Sequence, residues 1–140
     1  MRDRPPKERL FMRLASAVSD GSPDPKTQVG AVLIDSKNRV ISTGYNGPPA
    51  GFPDYELDWT DRESVYPVII HAEVNAILYS AAKINHHCKL FVTLSPCKEC
   101  LKLVAASGIK TVYYLNRYKD FEITEPLSYK LGIQLIQQGN

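Results

Sequence analysis

Two short stretches of the sequence bring together side chains that bind metal ions and move protons. One is His71-Ala72-Glu73, and the other is the SPCKEC run at residues 95–100. An imidazole and two cysteine sulfurs suit zinc, and three protein ligands leave a fourth position open for water, as in catalytic zinc sites. A carboxylate two residues from the histidine can move the protons of that water, so the spacing predicts a zinc hydrolase with Glu73 as its acid–base group. The predicted ligands are His71, Cys97 and Cys100.

Both stretches are predicted to lie at the N-termini of helices. His71 opens a helix predicted over residues 71–83, and Pro96 opens one predicted over residues 97–107. In mid-helix, His71 and Glu73 would diverge by about 200°, so they can converge on one site only at the very start of the helix. Helix N-termini also stabilise nearby negative charge and lower thiol pKa values, which favours metal binding.

A closed structural zinc site is the alternative interpretation, and it needs a fourth protein ligand. The candidates are His86, His87 and Cys88. These residues follow the helix predicted over 71–83, which at 1.5 Å per residue places them about 20 Å from its N-terminal end. That separation and the pairing of H-x-E with P-C-x-x-C favour the catalytic zinc site over the structural one.

Composition narrows the class of protein. The 140 residues suit one domain, predicted over 1–140, and the net charge of +2 is too small to indicate a nucleic-acid partner. Runs of about 20 apolar residues and a secretory signal are both missing, so we expect no membrane partner and a cytoplasmic location. An odd count of three cysteines favours reduced, metal-binding thiols over a disulfide framework.

The pattern of apolar residues and turn residues predicts an α/β fold. The order of elements is a helix, a β-hairpin over residues 29–45, a loop over 46–61, and then alternating helices and strands, which favours parallel pairing of the later strands. We expect three α/β/α layers around a mixed five-stranded sheet. The predicted helices cover 5–19, 71–83, 97–107 and 123–131, and the later strands cover 89–94, 110–115 and 133–136.

Residues around the zinc stretches resemble a known family. The matching segments are His71–Ile77, Pro96–Cys100, Asp24–Ala31 and Gly44–Gly51. They are similar to the zinc-dependent cytidine/deoxycytidylate deaminase superfamily, and within it to the branch that acts on deoxycytidylate (dCMP). The similarity spans roughly residues 8–136 and implies a cytidine deaminase-like fold.

The resemblance implies hydrolytic deamination of dCMP to dUMP and ammonia, which would supply the precursor for dTMP synthesis. It implies one Zn²⁺ ion as the cofactor and Glu73 as the group that takes the water proton, delivers it to N3 and then helps to protonate the leaving amine. Asn46 is expected to bind the sugar or base, and backbone groups near Ser95 to hold the exocyclic amine. Candidates for the phosphate are Lys26, Arg117 and Lys119, and Tyr118 follows the fourth predicted strand, where it can pack on the substrate. The alternative is that these are ordinary solvated loop residues. The candidate substrate-binding residues are Lys26, Thr27, Asn46, Ala72, Ser95, Arg117 and Tyr118.

The same resemblance implies a regulated homo-oligomer. Members of this branch are often hexamers that dCTP activates and dTTP inhibits, and Mg²⁺ is an expected companion of the dCTP effector. The alternative for the effector segment is a tight loop with no ligand, since glycine serves both purposes. The candidate effector residues are Gly44, Tyr45, Asn46, Gly47 and Gly51.

Two other functions remain open at this point. A deaminase of polynucleotides, tRNA or DNA, would need a basic groove and aromatic stacking platforms, which the low net charge does not favour. A non-catalytic nucleotide sensor that keeps its zinc would have no use for Glu73. The small-molecule enzyme is therefore the preferred hypothesis.

Overall fold

The structure, a computed structural model, describes residues 1–139 and is built on a five-stranded mixed sheet. The strands are β1 (Gly30–Ile34), β2 (Val40–Tyr45), β3 (Lys89–Leu94), β4 (Thr111–Asn116) and β5 (Gln134–Gln137). Their order is β2-β1-β3-β4-β5, with β1 antiparallel to both of its neighbours and β3, β4 and β5 parallel. The predicted mixed sheet with an antiparallel hairpin and parallel later strands is therefore confirmed.

Helices flank this sheet on both faces and complete three layers. In the described part of the chain these helices are α1 (Lys7–Ser19), α3 (Ala72–Leu78), α4 (Lys98–Ala106) and α5 (Phe121–Lys130), and a one-turn helix, α2 (Arg62–Val65), lies in the connection between β2 and α3 without packing on the sheet. Successive side chains of a strand point to opposite faces. Thus Ala31 and Leu33 of β1 pack with residues of α3, α4 and α5, whereas Val32 and Ile34 pack with α1. No helix within residues 1–139 has the length and apolar character needed to cross a membrane.

The helix predicted over residues 71–83 is shorter than expected and ends at Leu78. Beyond it, the backbone N–H of Ala81 donates to the carbonyl oxygen of Ile41 at 3.0 Å, so the chain turns back to the sheet edge. The separation of about 20 Å inferred from a longer helix therefore has no basis. Cys88 instead lies buried in the core, and within residues 1–139 it belongs to no cluster of side chains that could hold a metal ion.

The long connection from Asn46 to Ile70 is closed at its base. The backbones of Gly47 and Ile70 exchange two hydrogen bonds, of 3.0 and 2.8 Å. Between these residues lie two short 3₁₀ turns, Asp54–Glu56 and Tyr66–Val68, together with α2. The sequence predicted only a loop over 46–61. The paired base brings the start of α3 beside the end of β2.

Close contact between β2 and α3 depends on Gly44. A Cβ atom at this position would lie 2.5 Å from the backbone nitrogen of Ala76, and closer still to the carbonyl oxygen of Ala72. No side chain fits there, because packed backbone atoms cannot yield that much space. Gly44 therefore allows the strand to meet the first turns of α3, a packing role that the sequence did not separate from effector binding.

Candidate metal centre and active-site cavity

His71 and Cys97 are each the residue that directly precedes a helix. His71 has extended backbone angles (φ −70°, ψ 156°) and is followed by α3, and Cys97 (φ −69°, ψ 170°) is followed by α4. The expectation that both stretches open helices is confirmed. Because α3 begins only after His71, its ring and the carboxyl group of Glu73 in the first turn both line one cavity.

Three potential metal-binding atoms converge between these helix ends. The His71 Nδ1 atom lies 3.0 Å from the Sγ of Cys100 and 3.5 Å from the Sγ of Cys97, and all three atoms lie within 4.8 Å of one another. Bond lengths of about 2.0–2.1 Å to nitrogen and about 2.3 Å to sulfur are usual for zinc. One nitrogen and two sulfurs at these separations therefore suit a single zinc ion.

Electrostatics at the cluster favour cation binding. Hydrogen bonds from the Cys100 thiol and from His71, together with the Cys100 backbone N–H, lower the pKa of Cys97 to about 4. The hydrogen bond to Cys97 and burial raise the pKa of Cys100 far above its ordinary value. A cation that binds both sulfurs therefore meets a ready thiolate at Cys97 and releases a proton from Cys100.

Glu73 is the buried carboxyl group of this site. Only 4% of the residue is exposed, and burial raises the pKa of its carboxyl group to about 7. A group with a pKa near the working pH can take up a proton and give it back in the same cycle. The buried position and the pKa of Glu73 therefore suit a group that exchanges protons near neutral pH.

A cavity of about 420 Å³ opens onto the metal cluster, a volume typical of small-molecule sites. Its inner wall is buried and contains Ala72, Glu73 and Ser95, whereas Lys26 and Lys119 are exposed at its mouth. The cavity therefore joins a buried polar end to an exposed cationic end. Most of the predicted substrate residues line it: Lys26, Thr27, Asn46, Ala72, Ser95 and Tyr118.

Two of these residues also build the cavity wall. The Asn46 side chain accepts a hydrogen bond from Val29 N–H at 2.8 Å and donates one to the carbonyl oxygen of Thr27 at 2.9 Å. The Ser95 hydroxyl accepts a 2.7 Å hydrogen bond from the backbone N–H of Tyr118. Both side chains therefore fix the neighbouring loops as well as facing the cavity.

Arg117 is not brought to the cavity, which corrects its expected role at the phosphate. Its guanidinium carbon lies 4.5 Å from the centre of the Phe121 ring, a cation–π arrangement. Tyr118 and Lys119, by contrast, both line the cavity. The sequence placed all three residues together after a strand, but it could not tell which of them would turn inward.

The candidate effector residues do not form one surface. Gly44 lies against α3, the backbone of Gly47 pairs with Ile70, and Asn46 supports the cavity wall. Tyr45 is 44% exposed, and Gly51 has a positive φ of 86° with open space where a side chain would lie. Gly44 and Gly51 have local structural reasons, a close packing contact and a positive φ, and the outward-facing members of the set are Tyr45 and Gly51.

The structure contains an ion pair between Asp24 and Arg62 that the sequence did not predict. Asp24 is 3% exposed and accepts hydrogen bonds from the backbone N–H groups of Lys26 and Thr27 as well as from Arg62. Burial alone would raise the pKa of Asp24, but the hydrogen bond from Arg62 and those from the backbone hold it below its usual value. An aspartate before a proline predicts such a turn, but nothing local links it to a residue 38 positions away.

A three-layer α/β/α fold with a His–Cys–Cys cluster at two helix N-termini defines a zinc-binding α/β protein. The family model described as the cytidine and deoxycytidylate deaminase zinc-binding region matches residues 5–116, and the chain belongs to this family.

Relatives of known name agree with this assignment. The probable deoxycytidylate deaminase of Caenorhabditis elegans is 40% identical over 115 residues, which cover 79% of this chain and 57% of the relative. The deoxycytidylate deaminase of Homo sapiens is 38% identical over 116 residues, covering 79% and 65%. The chain thus spans roughly three fifths of the length of these two relatives.

A solved structure of similar fold is the dCMP deaminase of the cyanophage S-TIM5 in complex with dCMP and dUMP. It superposes with a TM-score of 0.83 at 30% identity, and the match covers 98% of this chain and all of that one. The likeness therefore extends over both the sheet and the loops that surround the cavity.

We predict that the wild-type chain retains one zinc ion after dialysis and that Cys97→Ser and Cys100→Ser lose it, because each removes a sulfur from the cluster. Metal analysis by plasma emission spectroscopy measures the content. Cys88→Ser is the matched control, since its sulfur is buried in the core away from the cluster, and it should retain the zinc. Zinc loss in Cys88→Ser, with normal circular dichroism, would place the metal elsewhere.

Proposed function

We propose that this chain catalyses the zinc-dependent hydrolytic deamination of dCMP to dUMP and ammonia. The observation that carries the proposal is the single cavity that joins the His71–Cys97–Cys100 cluster and the buried Glu73 to an exposed cationic mouth. A cytosine base suits the buried polar end, and a 5′-phosphate suits the cations. The solved complex of the S-TIM5 enzyme with dCMP and dUMP supports the same substrate.

Each residue of the inner wall has a proposed role. His71, Cys97 and Cys100 would hold the zinc ion, and the Lewis acidity that it would supply lowers the pKa of water toward about 7 in such sites. Glu73 takes one proton from the attacking water and delivers it to N3 of the cytosine. It then takes the remaining proton of the oxygen now bonded to C4 and gives it to the amine, which leaves as ammonia when the C4–N bond breaks and the C4 carbonyl forms. A pKa of about 7 suits both directions of that transfer. Backbone groups near Ser95 hold the amine during the reaction.

The cavity mouth is proposed to select nucleotides over nucleosides. Lys26 and Lys119 supply positive charge there, and Tyr118 faces the same space. Thr27 and Asn46 lie between this mouth and the inner wall in the proposed arrangement, where they meet the sugar. The product dUMP would then serve as the precursor for dTMP synthesis.

We further propose that the enzyme is a homo-hexamer that dCTP, with Mg²⁺, activates and dTTP inhibits. Support comes from the family resemblance of residues 44–51, among which Tyr45 and Gly51 face outward and do not line the cavity. Effector binding at Tyr45 would act on α3 through the adjacent Gly44, which touches the turns that carry Glu73.

The test of the proposed reaction is ammonia release by the zinc-loaded protein. We expect rapid release from dCMP and a much lower kcat/KM for deoxycytidine, because only dCMP carries a phosphate for the cationic mouth. Equal kcat/KM values for the two would contradict phosphate recognition. Ammonia release from single-stranded DNA or tRNA, with none from dCMP, would favour a polynucleotide deaminase, and no release from any of them would favour a sensor.

Replacing the proton carrier gives a second prediction. Glu73→Gln should keep its zinc and lower kcat for dCMP by about 10²–10⁴-fold, since general acid–base groups contribute factors of that size. Steady-state kinetics and metal analysis on the same preparation measure the two properties. Substantial turnover by a zinc-loaded Glu73→Gln protein would rule out the proposed proton transfer.

Regulation gives a third prediction. The rate should rise sigmoidally with dCMP concentration, become hyperbolic with dCTP and Mg²⁺, and fall when dTTP is added, because the effectors bias one oligomer between two states. Initial-rate curves measure this response, and light scattering measures the oligomer. A hyperbolic curve that neither nucleotide changes would contradict regulation.

A further inference from the structure

Arg62 holds a fixed position on the cavity wall. Its Nη2 atom donates to Oδ2 of Asp24 at 2.9 Å, and its Nη1 atom donates to Oδ1 of the same carboxylate at 3.3 Å. Both residues line the cavity that contains the metal cluster. A two-point pair between a guanidinium and a carboxylate fixes orientation as well as position.

The carboxylate that holds Arg62 is itself held rigidly. Asp24 is almost fully buried and accepts hydrogen bonds from the backbone N–H groups of Lys26 and Thr27, at 2.9 and 3.4 Å. Lys26 is one of the cations proposed at the cavity mouth. One buried carboxylate therefore positions both the Arg62 side chain and the backbone beside Lys26.

Arg62 keeps a second edge that the ion pair does not use. The second N–H of Nη1 donates to the carbonyl oxygen of Trp59 at 3.4 Å. Among residues 1–139, Nε has no hydrogen-bond partner, and the Nε–Nη2 edge presents two parallel N–H donors. The side chain is 44% exposed, so a ligand can reach it. Two parallel donors on a planar cation match the oxygens of a phosphate.

We propose that Arg62 is a specificity-determining residue that binds the 5′-phosphate of the nucleotide through its Nε–Nη2 edge, with Asp24 as the positioning residue behind it. This inference rests on the proposed deamination of dCMP. The ion pair also has a second effect: Arg62 compensates the negative charge of Asp24, which would otherwise repel the incoming phosphate. Lys26 and Lys119 provide positive charge on flexible side chains, whereas the guanidinium of Arg62 is held in one orientation toward the phosphate.

The experiment compares kcat/KM for dCMP and for deoxycytidine in zinc-loaded variants. Arg62→Gln should lose about 10–100-fold on dCMP, the factor expected for hydrogen bonds to a charged group. It should change by less than about twofold on deoxycytidine, which has no phosphate. Arg62→Lys should recover only part of the loss, because an ammonium keeps the charge but not the paired donors. Arg39→Gln is the control, since it removes the same charge from the exposed β1–β2 turn.

A double variant separates direct binding from charge compensation. In Arg62→Gln, the unpaired Asp24 would itself repel a phosphate. Asp24→Asn combined with Arg62→Gln removes both charges and keeps an acceptor for the Lys26 and Thr27 amides. If Arg62 binds the phosphate, this double variant stays about 10–100-fold impaired on dCMP. Recovery to the wild-type preference would overturn the proposal and leave Arg62 as a charge partner only.

Other outcomes are equally decisive. An equal loss on both substrates would make the ion pair a structural link between the two loops, and an unchanged dCMP preference in Arg62→Gln would exclude phosphate binding. A wild-type protein that deaminates neither substrate would instead contradict the proposed function. In that case, calorimetry with dUMP and deoxyuridine still tests Arg62: Arg62→Gln should weaken dUMP alone, and equal binding of dUMP to wild type and variant would overturn the inference.

Discussion

The whole site depends on two helix N-termini that must meet at one point. His71 and Cys97 each precede a helix, and the Cys100 sulfur comes from the first turn of α4. An offset of a few ångströms between α3 and α4 would separate the nitrogen from the sulfurs and leave no common metal position. Gly44 matters for this reason, because it lets α3 lie directly on β2. The paired backbones of Gly47 and Ile70 then fix where α3 starts.

The cavity is buried at one end and exposed at the other. This difference separates the proposed proton transfer at the inner end from the proposed phosphate binding at the outer end. At the inner end, the low exposure of Glu73 raises its pKa to about 7, which a carboxyl group in water would not reach. At the outer end, Lys26 and Lys119 remain exposed to water, so their charges carry no desolvation penalty. Asp24 is the exception, a buried charge near the mouth, and its partners supply the hydrogen bonds that such a charge requires.

Local sequence patterns predicted most of the fold and the metal cluster, but they did not predict contacts between residues that are far apart in the chain. The hairpin, the parallel strands and the helix starts at His71 and Cys97 follow from apolar periodicity and from turn residues. The end of α3 at Leu78 did not follow, since the chain beyond it bonds to a distant strand, with the N–H of Ala81 donating to the carbonyl oxygen of Ile41. The Asp24–Arg62 pair was not predicted either, because its two residues lie 38 positions apart and Arg62 begins helix α2 just after the segment 46–61 that was predicted only as a loop.

The contrast between Arg117 and Arg62 explains why sequence position is a poor guide to a phosphate site. Arg117 follows a strand next to two cavity residues, yet its guanidinium lies on the Phe121 ring. Arg62 lies in an irregular connection, yet a buried carboxylate draws its guanidinium to the cavity wall. In both cases the partner of the planar cation decides its direction: an aromatic face holds one arginine away from the cavity, and Asp24 holds the other against it. The specificity of such a site therefore depends on the groups that orient its cations, and these groups need not touch the ligand themselves.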